Sequence, residues 1–277
     1  YCYYNPHSPE MITACATEKI PVSADIAPDD LSGIRRGAYC KKCVKALEQE
    51  REQWIIATKF GYDIHASRDG FQRERPQKWD PEFVRTACEE SLQRLGTDYI
   101  DLYQLHYPNR GVPIAETMGA MEDLVDQGKV RFIGVSNYSA AQVSEAMEVI
   151  TRYEIVSNQV QYSLTHRNVE RDLLPFCQQH QITVIAHTPL DRGGLVAKSF
   201  FRRRQALDTL QKVANEIGKT ISQVALNWCL SRPSVVVIPK SDKASRVVEN
   251  CEASGWSMTP QQVRSLDEAF DQETRPQ

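Results

Sequence analysis

Ionisable and amide side chains follow several short apolar segments of this 277-residue chain. If those segments are parallel β-strands, their carboxyl ends meet at one face, so these side chains line one cleft. A lysine ammonium beside an imidazole in such a cleft can donate a proton or polarise a carbonyl group. No G-x-S-x-G string is present, so a serine nucleophile of that type is not indicated. The residues concerned are Lys59, His106, Ser136, Asn137, Gln159, His187, Pro239, Lys240 and Ser241.

Taken singly, these residues have ordinary interpretations. An isolated Lys59 is more often a solvated loop lysine, and a lone His106 more often anchors a core or a loop. Their chemistry therefore depends on whether the surrounding elements bring them together.

The segment that ends at His106 shows how one of them is positioned. Residues 99–105 alternate large apolar and polar side chains, are rich in β-formers and stop before a proline, which predicts a buried strand. A helix is predicted before it at 81–95, with Asp80 as the N-cap, and another after it at 114–126. A strand between two helices indicates a βα unit.

The same alternation continues along the chain and predicts parallel strands joined by right-handed crossovers. A doubly wound nucleotide-binding sheet would show a Gly-rich turn after its first strand, and no G-x-G-x-x-G string occurs. We therefore predict an α/β fold, a (β/α)8 TIM barrel, with the first one or two βα units incomplete or atypical. The predicted strands are 54–59, 99–105, 130–137, 155–161, 182–187 and 235–238, and the predicted helices are 81–95, 114–126, 139–150, 169–180, 203–217, 221–231, 243–251 and 260–270.

The composition of the chain limits the kinds of molecule that we expect it to bind. Hydrophobic residues make up 41% and charged residues 25%, which is ordinary for a globular protein. The net charge of -3 leaves no basic surplus for nucleic acid or an anionic membrane, and no apolar run has the length that spans a bilayer. The first residues do not resemble a signal peptide, so we expect a cytoplasmic location.

The division of the chain follows from the same pattern. Residues 1–53 are interpreted as a divergent N-terminal segment of the barrel, and residues 54–277 as the remaining βα units of the same single domain. Tyr1 is not an initiator methionine, which indicates a processed chain or a fragment, and we favour a fragment. The loop 62–80 and the C-terminal tail are expected to determine substrate specificity.

Cys40 and Cys43 have the C-x-x-C spacing of half a zinc site or of a redox pair. The second half of a zinc site is not evident, so no metal is predicted and a role for this pair stays open. Without an export signal, a reducing environment is expected for the eight cysteines.

Between residues 54 and 271 the chain carries, in order, the strings Ile56-Ala-Thr-Lys-Phe-Gly61, Arg94-Leu-Gly-Thr-Asp-Tyr-Ile-Asp-Leu-Tyr-Gln-Leu-His106, Gly128-Lys-Val-Arg-Phe-Ile-Gly-Val-Ser-Asn137, Asn158-Gln-Val-Gln-Tyr162 and Ile238-Pro-Lys-Ser241. In this combination they resemble the aldo-keto reductase family. Such a combination is far more specific than any single motif.

That resemblance implies a (β/α)8 barrel and NADPH-dependent reduction of an aldehyde or ketone, a small carbonyl compound, to an alcohol. The family's catalytic tetrad of Asp, Tyr, Lys and His would place its lysine on Lys59 and its histidine on His106. An anionic 2′-phosphate is best held by arginine and lysine at a helix N-terminus. The implied cofactor-binding residues are Ser136, Asn137 and Gln159 at the nicotinamide carboxamide, His187, Pro189 and Leu190 after the seventh strand, Lys240, Ser241 and Arg246 at the adenosine phosphate, and Glu249 and Asn250 at the adenine.

The sequence departs from the family pattern at two places. His187 stands where an aromatic ring usually stacks on the nicotinamide, and an imidazole offers a smaller ring for that purpose. The family's second strand ends in a string that carries the catalytic Asp and Tyr, and the nearest counterpart here has Val22 and Ala27 in those places. That tyrosine supplies a proton to the nascent alkoxide. Tyr39, Asp25 and Asp29 lie nearby in the sequence as substitutes, and Tyr39 is the first alternative donor.

Three interpretations follow from these departures. The chain is a carbonyl reductase whose N-terminal region is fragmentary; or a non-catalytic NADPH-binding barrel that acts as a sensor or interaction protein; or an active enzyme in which another residue, with Tyr39 first, donates the proton. All three predict NADPH binding, and we favour the first for the class of the protein. The sequence identifies neither the carbonyl substrate nor the oligomeric state.

Overall fold

The computed structural model describes residues 2–4, 11–13, 51–53, 55–63, 76–109, 111–195, 204–241 and 243–274. Their contacts divide the chain into two compact units, which we call the central unit (Tyr39–Gln159) and the terminal unit (Tyr1–Ala38 with Val160–Gln277). The domain boundary predicted at residue 53, within one barrel domain, stays a prediction.

The described residues near the amino terminus form an antiparallel pair in the terminal unit. Strand β1 (Cys2–Tyr4) pairs with β2 (Met11–Thr13), and Cys2 lies opposite Thr13. The other predictions for this region lie outside the described residues. They concern the first βα units and Val22, Ala27, Tyr39, Cys40 and Cys43.

The central unit contains parallel strands joined by helices, and a 3₁₀ turn at Arg51–Gln53 precedes the first of them. Each strand pairs in parallel with the next one along the chain, and the last strand continues two residues past Gln159. The elements, in chain order, are β3 (Ala57–Phe60), α1 (Pro81–Leu95), β4 (Ile100–Leu105), α2 (Ile114–Asp126), β5 (Val130–Ser136), α3 (Ala140–Val149) and β6 (Ile155–Gln161).

Local signals in the sequence account for the helix ends. The Asp80 carboxylate accepts a hydrogen bond from the Phe83 amide at 2.9 Å, and a proline occupies the first turn of α1. Gly96 ends α1 in the left-handed region, at φ 65°. Ser139 and Gln142 form a reciprocal capping box at the start of α3.

The two faces of the central strands have different environments. On one face Tyr103 donates to the Val84 carbonyl of α1 at 3.3 Å, so this face packs on the helices. On the other face Gln104 pairs across the strands with Gly134, and Gly134 with Ser157. A Cβ at Gly134 would lie 2.4 Å from Ser157 Oγ and 3.1 Å from Gln104 Cγ. Glycine at this position therefore leaves the space that the Gln104 side chain occupies.

Asp101, which is fully buried, fixes the amino ends of the central strands. Its carboxylate accepts hydrogen bonds from Arg51 at 2.7 Å, from Arg131 at 2.9 Å and from the Ile56 amide at 2.9 Å. The Arg51 guanidinium also lies 3.7 Å from the centre of a tyrosine ring. A buried carboxylate is tolerated only when it is paired in this way, so Asp101 orders the start of β3 beside β4.

The terminal unit contains a second parallel pair of strands in which His187 lies opposite Ile238. Short 3₁₀ turns at Asn168–Glu170 and Asp191–Gly193 precede two of its helices. Its further elements are α4 (Leu173–Gln179), β7 (Thr183–His187), α5 (Arg204–Ile217), α6 (Ile221–Leu230), β8 (Val235–Ile238), α7 (Ala244–Cys251) and α8 (Pro260–Thr274).

Trp228 joins two helices of the terminal unit. Its indole N–H donates to Asp267 of α8 at 3.0 Å, and Arg232 donates to the same carboxylate at 2.5 Å. The guanidiniums of Arg167 and Arg232 lie 5.1 and 4.8 Å from the indole centre. Cation–π contacts and a shared carboxylate thus fix α8 on α6.

Most predicted element boundaries agree with the structure within two residues. The helix predicted at 169–180 is the main exception, because it divides into the turn Asn168–Glu170 and α4. Pro175 explains the break: it lacks an N–H, and its ring would clash with the carbonyl of Arg171 in a continuous helix. The helix therefore begins at Leu173, which leaves Pro175 in the first turn.

Two features of the described residues concern membrane insertion and metal binding. No helix among them combines the length and apolar character needed to cross a membrane. Within the same residues, no group of three His, Cys, Asp or Glu side chains is placed to hold a metal ion.

Candidate active site

Several predicted site residues of the central unit lie at the carboxyl ends of neighbouring parallel strands. Lys59 is in β3 opposite Gln104, His106 follows β4, and Ser136 at the end of β5 lies opposite Gln159 of β6. Parallel pairing brings these ends to the same edge of the strands. The clustering predicted from the sequence is therefore present in the central unit.

A chain of polar side chains crosses this edge. Lys59 Nζ donates to Gln159 Oε1 at 2.6 Å, and Gln159 Nε2 donates to Gln104 Oε1 at 3.2 Å. Gln104 Nε2 makes longer contacts, at 3.4 Å to the Val135 carbonyl and 3.5 Å to Ser157 Oγ. Because Gln104 and Gln159 are 1% and 5% exposed, their amide orientations are fixed by these bonds. The ammonium of Lys59 is thereby held at the strand ends.

Asn137 links the ends of β4, β5 and β6. Its side-chain amide donates to the His106 carbonyl at 2.9 Å and to Ser136 Oγ at 3.1 Å, and its backbone amide donates to the Gln159 carbonyl at 2.9 Å. Ser136 Oγ donates to that same carbonyl at 2.8 Å. Asn137 has φ 62°, a left-handed conformation that asparagine tolerates better than most residues and that is common at functional sites.

The residue after Asn137 supports this turn. The carbonyl of Tyr138 accepts a hydrogen bond from Asn158 Nδ2 at 2.9 Å, and the tyrosine side chain is 3% exposed. Burial raises the pKa of the Tyr138 phenol well above its ordinary range, so it stays neutral. Tyr138 therefore acts as a packing residue that holds the loop in place.

His106 contacts two tyrosine rings, which also contact each other. Its backbone amide donates to the Phe60 carbonyl at 3.0 Å. The Tyr62 ring meets the imidazole at 90° with centroids 5.1 Å apart, and the Tyr107 ring stacks on it at 18° and 4.9 Å. Both tyrosines are partly exposed. The imidazole is therefore held by aromatic contacts at the edge where Lys59 also lies.

The terminal unit presents a strained loop after β7. His187 ends the strand, and its Nδ1 lies 3.0 Å from Thr188 Oγ1. Thr188, Asp191 and Arg192 have φ values of 58°, 49° and 53°. Left-handed conformations in residues other than glycine cost energy and concentrate at ligand-binding loops. The loop contains the predicted cofactor residues Pro189 and Leu190.

A second group of predicted residues surrounds the start of α7. Ser241 Oγ accepts a hydrogen bond from the Lys243 amide at 3.1 Å, while Lys240 and Arg246 are exposed to solvent. Asn250 is 7% exposed in the last turn of the helix, and Glu249 is partly exposed. The cationic side chains near the start of α7 suit a dianionic phosphate; they belong to Lys240, Lys243 and Arg246. The donor set therefore fits the phosphate of a phosphorylated dinucleotide.

The sequence interpretation missed two residues of the central site. Gln104 precedes His106 by two positions, so period-two alternation puts both on one face of the strand, and this signal was available. Tyr62 was assigned to a polar loop. Its contact with His106 depends on Gly61 at φ 119°, which no alternation pattern reports.

Comparisons with known proteins agree with this description. Residues 37–271 match the model of the Aldo/keto reductase family. Methylglyoxal reductase YeaE of Escherichia coli is 36% identical over 184 residues, which are 66% of this chain and 63% of that protein. A probable aldo-keto reductase of Glycine max is 33% identical over 248 residues, which are 81% of this chain and 69% of that protein. The chain thus spans less than two thirds of the length of YeaE.

Solved structures give the same result. A thermostable aldo-keto reductase in complex with the inhibitor epalrestat superposes with a TM-score of 0.71 at 33% identity, over 83% of this chain and 79% of that one. An aldo/keto reductase from Klebsiella pneumoniae in complex with NADP and acetate gives 0.67 at 32%, over 84% and 77%. A glycerol dehydrogenase from Gluconobacter oxydans gives 0.76 at 26%, over 86% and 79%. The predicted α/β class and (β/α)8 fold are therefore confirmed, and the chain belongs to the aldo/keto reductase family.

Proposed function

We propose that this chain catalyses the NADPH-dependent reduction of an aldehyde or ketone to the alcohol. The observation that carries the proposal is the Lys59–Gln159 hydrogen bond of 2.6 Å, which holds an ammonium group beside His106 at the strand ends. Family membership supports the reaction class. The relative named methylglyoxal reductase and the neighbour bound to NADP support a small carbonyl substrate and this cofactor.

The residues of the central unit have distinct tasks in this reaction. When bound, the nicotinamide supplies a hydride to the carbonyl carbon. Lys59 and His106 donate hydrogen bonds toward the carbonyl oxygen, on which negative charge develops, and fixed donors of this kind stabilise that charge strongly. Because Lys59 is already held by Gln159, its ammonium needs little reorganisation as the charge forms.

Cofactor orientation is assigned to the hydroxyl and amides of β5 and β6. Ser136, Asn137 and Gln159 offer both hydrogen-bond donors and acceptors, which a primary carboxamide requires. The Ser136 hydroxyl is held by its 2.8 Å bond to the Gln159 carbonyl, and the Asn137 side chain by its 2.9 Å bond to the His106 carbonyl. The Gln159 side chain is held by the 2.6 Å bond from Lys59, so these groups are fixed before the cofactor arrives. In the terminal unit, His187, Pro189 and Leu190 are assigned to the nicotinamide side, and Glu249 and Asn250 to the adenine.

Preference for NADPH over NADH is assigned to Lys240, Ser241 and Arg246. NADH lacks the 2′-phosphate, so the Lys240 and Arg246 cations and the Ser241 hydroxyl contribute this affinity only to the phosphorylated cofactor. A reductase that uses NADPH should therefore bind it much more tightly than NADH.

A second candidate function rests on Val22 and Ala27, which replace the catalytic Asp and Tyr implied by the family resemblance. In that case the chain binds NADPH without turnover, as a sensor or interaction protein. The cytoplasmic location and the absence of nucleic acid as a partner stay predictions.

One experiment separates the two candidates. NADPH binding is followed by fluorescence titration, and turnover by loss of NADPH absorbance with a panel of aldehydes and ketones that includes methylglyoxal. We expect turnover that Lys59→Met lowers by at least about 100-fold, while the surface variant Lys212→Met retains it. Tight binding without turnover would establish the second candidate, and no NADPH binding would contradict both.

A further inference from the structure

Reduction of a carbonyl group requires a proton as well as a hydride. Hydride addition to the carbon breaks the C=O π bond and leaves an alkoxide, which must take a proton from an acid within hydrogen-bond distance. Ala27, at the position implied for the family's proton-donating tyrosine, has no acidic proton, and neither has Val22 at the position implied for the Asp. The proposed reaction therefore needs another acid at the strand ends.

The chain turns sharply at Gly61, and the turn brings Tyr62 against His106. Alternation along β3 would direct Tyr62 toward the helices, as it does for Phe60, which stacks on Tyr103. Gly61 instead has φ 119°, a conformation that residues with a side chain rarely adopt, and a Cβ there would lie 3.6 Å from His106 Cβ. The backbone conformation of Gly61 thus brings the Tyr62 and His106 rings close together.

Hydrogen bonds hold the backbone on both sides of Tyr62 in place. The Asp63 amide donates to the Pro76 carbonyl at 2.8 Å, and the Lys78 amide donates to the Gly61 carbonyl at 3.1 Å. Tyr62 also forms a β-bridge with Gln77. These bonds hold the backbone of Tyr62 at the same strand end as Lys59, three residues earlier in the chain, and the ring contact with His106 keeps the phenol there.

Other described tyrosines of the central unit are committed elsewhere. Tyr99 lies beneath Arg51 at the amino end of β4, and Tyr103 donates to a helix carbonyl at 3.3 Å. Tyr153 donates to Asp126 at 2.6 Å on the outer surface. Tyr138 is buried, and its raised pKa makes it a poor acid. Tyr62 and Tyr107 instead contact the His106 imidazole, and Tyr62 lies at the same strand end as Lys59.

We propose that Tyr62 is the acid that protonates the alkoxide, an inference that rests on the proposed function. The Tyr62 O–H bond breaks, its proton passes to the alkoxide oxygen, and the electron pair stays on the phenolate. The Lys59 ammonium at the same strand end favours that phenolate, and solvent water then returns the proton. Hydride and proton together convert the carbonyl compound to the alcohol.

The test removes single hydroxyl groups. Tyr62→Phe should lower kcat by at least about 100-fold, in line with the usual contribution of a general acid, and should abolish the alkaline limb of the pH–rate profile. Its NADPH affinity should stay within about twofold of the wild type, since the acid does not hold the cofactor. Tyr153→Phe, which loses the same atom at the outer surface, is the matched control and should retain activity.

A second readout does not depend on turnover. Acetate carries negative charge on oxygen, as the alkoxide does, and its affinity for the protein loaded with NADP⁺ is measured by titration. Loss of a hydrogen bond to a charged group should weaken acetate binding by about tenfold in Tyr62→Phe and leave it unchanged in Tyr153→Phe.

Each remaining outcome contradicts the inference. Activity retained in Tyr62→Phe overturns it and leaves the proposed function intact. If Tyr107→Phe or Tyr39→Phe loses activity instead, the role of proton donor belongs to that tyrosine. Weaker acetate binding without loss of kcat would make Tyr62 a substrate-contact residue only. A wild-type chain that binds NADPH but reduces no carbonyl compound would refute the proposed function together with the inference.

Discussion

Gln104 is expected to position the Gln159 amide, which we assign to the cofactor, without contacting the cofactor itself. The substitution Gln104→Met keeps the length and volume of the side chain, so it opens no large cavity. It removes the acceptor that lies 3.2 Å from Gln159 Nε2 and leaves that N–H unpaired at a site that is 5% exposed. An unpaired buried donor costs about 1–3 kcal/mol.

Part of this cost lowers the free energy of unfolding, and part weakens NADPH binding. The 2.6 Å bond from Lys59 still holds the Gln159 carbonyl oxygen, because a flipped amide would turn its N–H groups toward the ammonium. The Gln159 amide therefore keeps its orientation but loses one hydrogen bond. About 1 kcal/mol of the cost should appear as weaker NADPH binding. We expect the Kd for NADPH to rise about fivefold, with a smaller change in kcat.

The assay combines an NADPH fluorescence titration with urea denaturation of the same samples. Gln178→Met is the matched control, because the Gln178 amide donates to the Pro233 carbonyl at 2.9 Å in a solvent-exposed bond. That control should bind NADPH as the wild type does. If Gln104→Met lowers stability but leaves the Kd for NADPH within about twofold, Gln104 is a structural residue and the reasoning is wrong.

Three further predictions concern charge and burial. Arg246→Ala should raise the Kd for NADPH about tenfold and leave that for NADH unchanged, with Arg204→Ala as the control; an equal loss for both cofactors would contradict the assignment. Asp101→Asn should lower the free energy of unfolding in urea by about 3 kcal/mol, because the partly buried Arg51 loses its anion at a fully buried position, whereas the exposed Asp208→Asn should change it by less than about 0.5 kcal/mol. Burial raises the pKa of the Cys88 thiol from 9.0 to about 12, so native protein at about pH 8 should resist iodoacetamide at Cys88 until urea unfolds it. Since the folded pKa is the higher one, the stability linked to this thiol is complete below about pH 9 and falls as pH rises toward 12; rapid labelling of the native protein would show that the thiol is accessible.

Local signals made the helices and strands predictable. Asp80, Gly96 and the Ser139 capping box each act within one turn of helix, so a sequence window contains the whole cause. Pro175 also acts locally, and its effect on the helix predicted at 169–180 is explained by its missing N–H and its ring. Strand ends were predictable for the same reason, and with them the places of Lys59 and His106.

Contacts across the strands were less predictable. The sequence shows that Gln104 shares a face with His106, but the bond to Gln159 depends on strand register and on the space left by Gly134. Tyr62 reaches His106 only because Gly61 adopts φ 119°. Such backbone conformations depend on tertiary contacts. Here the bonds Asp63–Pro76 and Lys78–Gly61 join two segments that are separated in sequence, so a local window does not contain their cause.

Binding and chemistry can be separated in this chain because different residues carry them. Ser136, Asn137 and Gln159 are fixed by bonds to one another and to the backbone. The cofactor orientation that we assign to them is therefore not expected to depend on Val22 and Ala27. The proton, in contrast, has to come from one group at the strand ends. Gln104→Met should therefore change mainly NADPH affinity, and Tyr62→Phe mainly kcat. If both variants changed both quantities equally, the polar chain and the aromatic pair would act as one unit, and the separate roles assigned to them would be wrong.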